Sequence, residues 1–405
     1  MSPPRATRGW RLIAVAIALQ AWTIGTIQYS FTFWIDPWMS EFDASRSELI
    51  LAIFLAQIGT TLLSPVAGRA MDRWSMGRLC ALGLLAFSIS LVATTRVGAA
   101  WQLVLVYAPL MAIAMPLTGP LMGQSLAAKA FDEGRGMAMG WVTTGTSVGG
   151  LIVPPLIAWL IADAGWRTAS MVSAGVAVIV FVPLVLGTLR GSDIESEARS
   201  TEAGEPAISL STLEIVRDRA FWIPALGFMP GWGLVSAVQI NFGPYASDLG
   251  IEAQHAAFFV SLIAGATIGG KLLFGALADR YDHRAMFCGV MGALVLALIL
   301  MASSPSVMLL AVISLIFGLG TGGLLPLSGM ILAAQFGPAL FGRVTGLFYL
   351  TFAVGSLAAP LAGSIRDRSG SYDSFWYLMA VVIVAAGLPM LRLRPTQSGV
   401  SPTLP

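Results

Sequence analysis

Long apolar stretches recur along the whole chain, and short polar or charged segments separate them. Each stretch is close to the ~20 residues that a helix needs to cross the hydrocarbon core of a bilayer. The pattern predicts an all-α membrane protein. Twelve stretches are present, numbered here as spans 1 to 12: residues 12–34, 49–66, 79–94, 101–125, 137–161, 169–189, 221–242, 256–277, 286–302, 307–334, 345–362 and 375–391.

The composition agrees with this pattern. Of the 405 residues, 56% are hydrophobic and 11% are charged, with a mean hydropathy of +0.80. A soluble domain carries about 25% charged residues, so this chain has too few to cover itself in water. A basic segment precedes span 1, but no small-residue cleavage site follows it, so we interpret the stretch as a span rather than a signal peptide.

The positions of the basic residues predict the orientation of the spans. If both termini are cytoplasmic, 17 Lys and Arg residues lie in cytoplasmic segments and five lie outside, with Lys271 alone inside a span. Cytoplasmic loops carry an excess of Lys and Arg, so this orientation in the inner (plasma) membrane is favoured. The five outside residues are Arg46, Arg96, Arg167, Arg366 and Arg368.

A polar, acidic stretch at 191–206 divides the spans six and six, and is interpreted as a solvated linker. The predicted domains are 1–190, a linker at 191–219 and 220–405. Residues 208–220 are predicted to form a short amphipathic helix at the membrane surface.

The two halves repeat one pattern at a nearly constant offset. The segment at 120–128 matches that at 326–334, an offset of 326 − 120 = 206, at Pro, Leu, Gly, Leu, Ala and Ala. Gly68-x-x-x-Asp72-Arg73 recurs as Gly275-x-x-x-Asp279-Arg280, at 275 − 68 = 207. A two-fold repeat of six spans predicts a cavity at the interface of the halves, near the bilayer midplane.

The loop after span 2, from Gly68 to Arg78, resembles the signature of the major facilitator superfamily, and the segment from Gly275 to Arg284 is a shorter second copy. The resemblance implies two six-helix bundles and a gating motif. In the family, the loop aspartate binds the start of span 11 and its twin binds the start of span 5. The gating residues implied here are Gly68, Asp72, Arg73, Arg78, Gly275, Asp279, Arg280, Arg135 and Arg343.

Further segments are similar to the bacterial monocarboxylate and oxalate/formate exchanger group. They include Tyr29-Ser30-Phe31, the stretch at 41–49, Gly165-Trp166-Arg167 and the stretch at 341–346. This resemblance implies a secondary transporter of a small organic anion.

Span 8 contains Lys271, four residues before Gly275, where the family places an arginine that meets the substrate carboxylate. An ionisable residue inside a span is costly and usually faces a polar cavity. The alternative is snorkelling: Lys271 precedes Asp279 by eight residues, ~12 Å along a helix, within partial reach of the interface.

This chain departs from its relatives in its charges. No lysine occurs in span 1 or span 11, Thr267 stands where eukaryotic relatives place an aspartate, and none of the 21 acids lies in the middle of a span. A lysine, unlike an arginine, can lose its proton in an apolar site. We therefore expect Lys271 to gain a proton together with the anion, which predicts symport; exchange of anions is the alternative.

Neutral polar residues within the spans are candidates to complete the pocket. For each, hydrogen bonding between helices is an equal alternative. The candidates are Gln28, Tyr29, Gln57, Gln239, Asn241 and Tyr349.

Other function classes have less support. The only histidines, His255 and His283, lie in loops on opposite sides of the membrane, so we expect no enzyme, metal site or cofactor. A sensor that binds without transport, and an exporter of drugs or metabolites, remain alternatives. We expect a monomer whose partners are the anion, a proton and the lipid bilayer, with no nucleic acid.

Overall fold

The computed structural model describes residues 5–131, 133–189, 211–303 and 305–392. The described part of the chain is 90% helical and contains no strands. Residues 191–210 of the predicted linker at 191–219 lie outside these residues. The helices are Arg5–Ile24, Phe31–Phe42, Arg46–Arg73, Met76–Thr94, Ala100–Thr118, Pro120–Ala130, Arg135–Val176, Val182–Leu189, Thr212–Arg217, Arg219–Asp248, Ala253–Ala278, His283–Met301, Val307–Phe336, Phe341–Ser356, Ala358–Ser369 and Asp373–Gly387.

Eleven helical segments of the described chain are long and apolar enough to cross a membrane. One of them, Arg135–Leu189, has 55 residues. A straight helix of that length would extend ~80 Å, more than twice the ~30 Å of a bilayer core. Gly165 breaks it with φ 79° and ψ 161°, a conformation that only glycine adopts without strain. The segment is therefore spans 5 and 6, and the prediction of twelve spans is confirmed.

Among the described residues, the surface helix predicted at 208–220 covers Thr212–Arg217. It begins with a capping box formed by Ser211 and Glu214. It ends because the Asp218 side chain accepts a hydrogen bond from the Ala220 N–H and starts the helix of span 7. Asp218 thus separates the surface helix from the helix of span 7, which begins at Arg219.

The chain folds into two compact units whose boundaries differ from those of the predicted halves. Unit 1 comprises residues 1–132, 142–210 and 338–350, and unit 2 comprises 133–141, 211–337 and 351–405. The first residues of span 5 thus belong to unit 2. The residues that lead into span 11 belong to unit 1.

Glycines bring helices close together inside unit 1. A Cβ at Gly145 in span 5 would lie 2.8 Å from the carbonyl oxygen of Ile17 in span 1. A Cβ at Gly25 would lie 2.7 Å from the Val153 side chain. Such small residues let backbones approach where a larger side chain would separate them. Spans 1 and 5 are therefore in close backbone contact.

An ion pair lies at the predicted outer ends of the helices in each unit. In unit 1, the Arg167 guanidinium donates two hydrogen bonds to the Glu41 carboxylate, at 2.8 and 3.0 Å. This contact holds the pKa of Glu41 below its ordinary value. In unit 2, Arg366 makes the same two-bond contact with Asp248, at 2.7 and 3.1 Å.

Candidate functional site

The carboxylate of Asp72 lies at the end of span 2 and caps the helix that begins span 11. One oxygen accepts a hydrogen bond from the Gly342 N–H at 2.9 Å, and the other accepts one from the Arg343 N–H at 2.8 Å. The first N–H groups of a helix have no partner within it, and the helix dipole is positive there. The carboxylate therefore satisfies two of these groups with a favourable charge.

Asp279 makes the equivalent contact in unit 2. Its two oxygens accept hydrogen bonds from the N–H groups of Gly136 and Met137, at 2.6 and 2.8 Å. These residues open the helix of span 5, and they correspond to Gly342 and Arg343 at the repeat offset of 206. The predicted partners of both motif aspartates are thus found in the structure. We call the two contacts the Asp72 latch and the Asp279 latch.

Glycine is required at each latch because two backbones nearly touch. A Cβ at Gly68 would overlap the carbonyl group of Gly342. In the other latch, a Cβ at Gly275 would lie 2.7 Å from the Gly136 carbonyl oxygen and 2.8 Å from the Gly140 Cα. This close approach explains why the motif begins with glycine in both copies.

The motif arginines differ in their surroundings. Arg73, Arg78 and Arg280 are exposed, whereas Arg135 is half-buried and Arg343 is buried. Lys129, which no motif indicated, supports the Asp72 latch. Its ammonium group donates a hydrogen bond to the Met71 carbonyl oxygen at 2.6 Å and lies 3.6 Å from the Asp72 carboxylate.

Lys271 lies in the helix of span 8 and is 4% exposed. Its backbone is held between two glycines, because a Cβ at Gly140 would lie 2.6 Å from its carbonyl oxygen and one at Gly322 would lie 2.7 Å from its nitrogen. A snorkelling side chain would expose its ammonium group at the interface. The burial of Lys271 favours a role inside the protein.

The candidates in span 1, Gln28 and Tyr29, lie within an irregular turn of unit 1. A π-helical turn at Gly25–Tyr29 interrupts the helix, and both the N–H and the hydroxyl of Ser30 donate to the Gly25 carbonyl oxygen, at 2.9 and 2.8 Å. Gln28 and Tyr29 are exposed, with buried residues on either side. Such π-turns occur frequently at functional sites. Gln57 in span 2 is also exposed.

Tyr349 in span 11 has a partner that the sequence did not indicate. Its hydroxyl donates a hydrogen bond to the Gln124 side-chain oxygen at 3.0 Å, and Gln124 is fully buried in span 4.

The two candidates in span 7 belong to unit 2, where Gln239 is exposed. Asn241 is buried and donates hydrogen bonds to the carbonyl oxygens of Ala237 and Ala359, at 3.0 and 3.1 Å. The bond to Ala359 joins spans 7 and 11. Asn241 therefore fits the alternative given above, in which the polar side chain forms a hydrogen bond between helices.

Comparison with known proteins agrees with this architecture. The model of the Major Facilitator Superfamily matches the chain twice, over residues 12–301 and 235–404. The chain therefore belongs to the Major Facilitator Superfamily and is a multi-pass membrane transporter.

Several curated proteins are similar to it. Human monocarboxylate transporter 11 is 26% identical, with coverage of 96% of this chain and 84% of that protein. The uncharacterized MFS-type transporter YcxA of Bacillus subtilis is 24% identical over 90% of both chains. The MFS transporter asaE of Aspergillus flavus is 29% identical, but the match covers 64% of this chain and only 57% of that protein.

Solved structures share the fold at low identity. The proton:xylose symporter XylE superposes with a TM-score of 0.73 at 13% identity, covering 97% of this chain and 98% of that chain. The transporter FucP in its outward conformation gives a TM-score of 0.69 at 12% identity, with 94% and 98% coverage.

The Asp72 latch generates a prediction about transport rate. We expect Asp72→Asn and Gly68→Leu to slow uptake by about tenfold or more, because a charge-assisted hydrogen bond is worth ~1.5–3 kcal/mol. The apparent affinity should change little, because the latch residues are not among the residues predicted to bind the substrate. Initial uptake rates of labelled small acids in proteoliposomes measure both quantities.

The control for these variants is Glu133→Gln, which removes an exposed carboxylate from the same predicted side of the membrane. It should transport at the wild-type rate. Wild-type turnover in both latch variants would remove the gating assignment.

Proposed function

We propose that this transporter moves a small organic anion, of the monocarboxylate type, across the inner membrane by alternating access. The observation that carries the proposal is the burial of Lys271 within span 8. An ionisable residue within a membrane span is costly, and such residues mark substrate and ion pathways. The monocarboxylate transporters among the similar proteins support the same substrate class.

The proposed orientation places both termini in the cytoplasm, because of the excess of Lys and Arg in the segments assigned there. The two latches then lie on the cytoplasmic side, and the Glu41 and Asp248 ion pairs lie outside. We propose that the latches stabilise one open state and that their release permits the other.

Removing the charge of Lys271 tests the substrate class. Lys271→Gln keeps a polar side chain of similar length but cannot pair with a carboxylate. Truncating one partner of a buried charge pair costs ~2–5 kcal/mol, so the affinity for the transported acid should fall by about 30-fold or more. Competition by unlabelled acid in the uptake assay gives the affinity.

Arg368→Gln is the matched control, because Arg368 is exposed and outside the predicted site. It should bind the acid as the wild type does. Unchanged affinity in Lys271→Gln would show that the ammonium group does not bind the anion.

We further propose that the anion moves with a proton, carried by Lys271. A carrier that returns empty must move its binding site across the membrane, and a permanent charge in that site opposes the return. Lysine can lose its proton in an apolar site, whereas arginine keeps its charge. An ammonium group that forms when the anion binds and is lost when the anion leaves makes the net event symport.

Lys271→Arg separates symport from exchange. We expect this variant to exchange labelled for unlabelled acid between loaded compartments, because the positive charge remains. It should lose net uptake driven by an inward pH gradient into vesicles without internal acid. Net uptake by the arginine variant under that gradient would show that the proton follows another route.

A further inference from the structure

Two threonines form a hydroxyl pair close to Lys271 in unit 2. Thr267 lies four residues before Lys271 in span 8, about 6 Å along the helix axis. Thr321 lies in span 10, and its Oγ1 atom is 3.1 Å from the Oγ1 atom of Thr267. Both residues are partly exposed. We call this contact the threonine pair.

The threonine pair has more hydrogen-bond contacts than it has protons. Thr267 donates to the Ile263 carbonyl oxygen at 2.8 Å, and Thr321 donates to the Gly318 carbonyl oxygen at 2.9 Å. A hydroxyl has one proton, so two hydroxyls cannot fill these two contacts and also the one between them. When both donate to their own helices, two oxygens with free lone pairs face each other. The pair is then an acceptor that is completed by a donor from a third group.

The geometry of span 8 directs Lys271 towards this pair. Side chains of a helix lean towards its N-terminus, so the lysine side chain leans towards the turn that contains Thr267. The backbone next to Thr321 is also in contact with Lys271, because a Cβ at Gly322 would lie 2.7 Å from the Lys271 nitrogen. A positive group and an acceptor pair therefore lie on neighbouring turns, facing the same helix.

We infer that the threonine pair is a specificity-determining part of the substrate site and selects acids that carry a hydroxyl group besides the carboxylate. This inference rests on the proposed function, in which Lys271 binds the carboxylate. A carboxylate is only an acceptor and gains nothing from the pair, whereas a substrate hydroxyl can donate its one proton to either oxygen. A site that pairs with a substrate hydroxyl discriminates against the analogue that lacks it.

The test compares butyrate with 2-, 3- and 4-hydroxybutyrate as substrates of the reconstituted full chain. The four acids share one carbon skeleton, and the series places the hydroxyl at three distances from the carboxylate. We expect the wild type to favour one hydroxybutyrate over butyrate by about tenfold in kcat/KM, near the energy of one hydrogen bond. Thr267→Val and Thr321→Val should reduce this preference to about twofold or less, mainly by lowering kcat/KM for the favoured hydroxybutyrate.

Two further variants show whether the hydroxyl is responsible. Thr267→Ser restores a hydroxyl and should restore the preference. Thr188→Val is the matched control, because Thr188 donates to a carbonyl oxygen of its own helix in the same way but is half-buried in span 6 of unit 1. It should keep the wild-type preference.

Three results would overturn the inference. A preference that persists in both valine variants would show that the pair does not contact the hydroxyl. An equal loss of all four acids in those variants would show that the pair positions Lys271 instead of the substrate. Absence of uptake of all four acids by the wild type would contradict the proposed function itself, and the inference with it.

Discussion

A lysine in the interior of a membrane span is the feature on which the proposed mechanism depends. Lys271 is buried, and its backbone lies between Gly140 of span 5 and Gly322 of span 10. In a low-dielectric interior, an ammonium group needs a compensating charge or must lose its proton. An organic anion supplies that charge, and its departure removes it. Because lysine can lose its proton when the anion leaves, it is suited to a binding site that must return empty across the membrane.

The two latches show how an internal repeat supplies a pair of matched contacts. In each, an aspartate at the end of one helix accepts hydrogen bonds from the first N–H groups of another, and a glycine allows the close approach. These N–H groups lack partners within their own helix, so a latch that opens leaves them to water or another acceptor. Opening therefore has a definite cost, which is what a gate between two states requires.

The sequence predicted those features that depend on local patterns. Apolar length indicated the twelve spans, and the repeated Gly-x-x-x-Asp-Arg motif indicated Asp72 and Asp279. Contacts between single polar residues of different helices could not be predicted, because a lone Thr321 or Gln124 in an apolar helix does not indicate which residue faces it. The threonine pair, the Tyr349 hydrogen bond and the support from Lys129 emerged only from the packing.

The most direct test of the account is whether net acid uptake moves charge. Proteoliposomes containing the wild type are given an inward pH gradient, and potassium gradients with an ionophore set the membrane potential positive or negative inside. Protein-free liposomes measure passive entry of the protonated acid. Symport of one anion with one proton through Lys271 is electroneutral, so the account predicts equal protein-dependent rates at both potentials. Uptake that accelerates when the interior is positive would contradict it, because the anion would then cross without its proton.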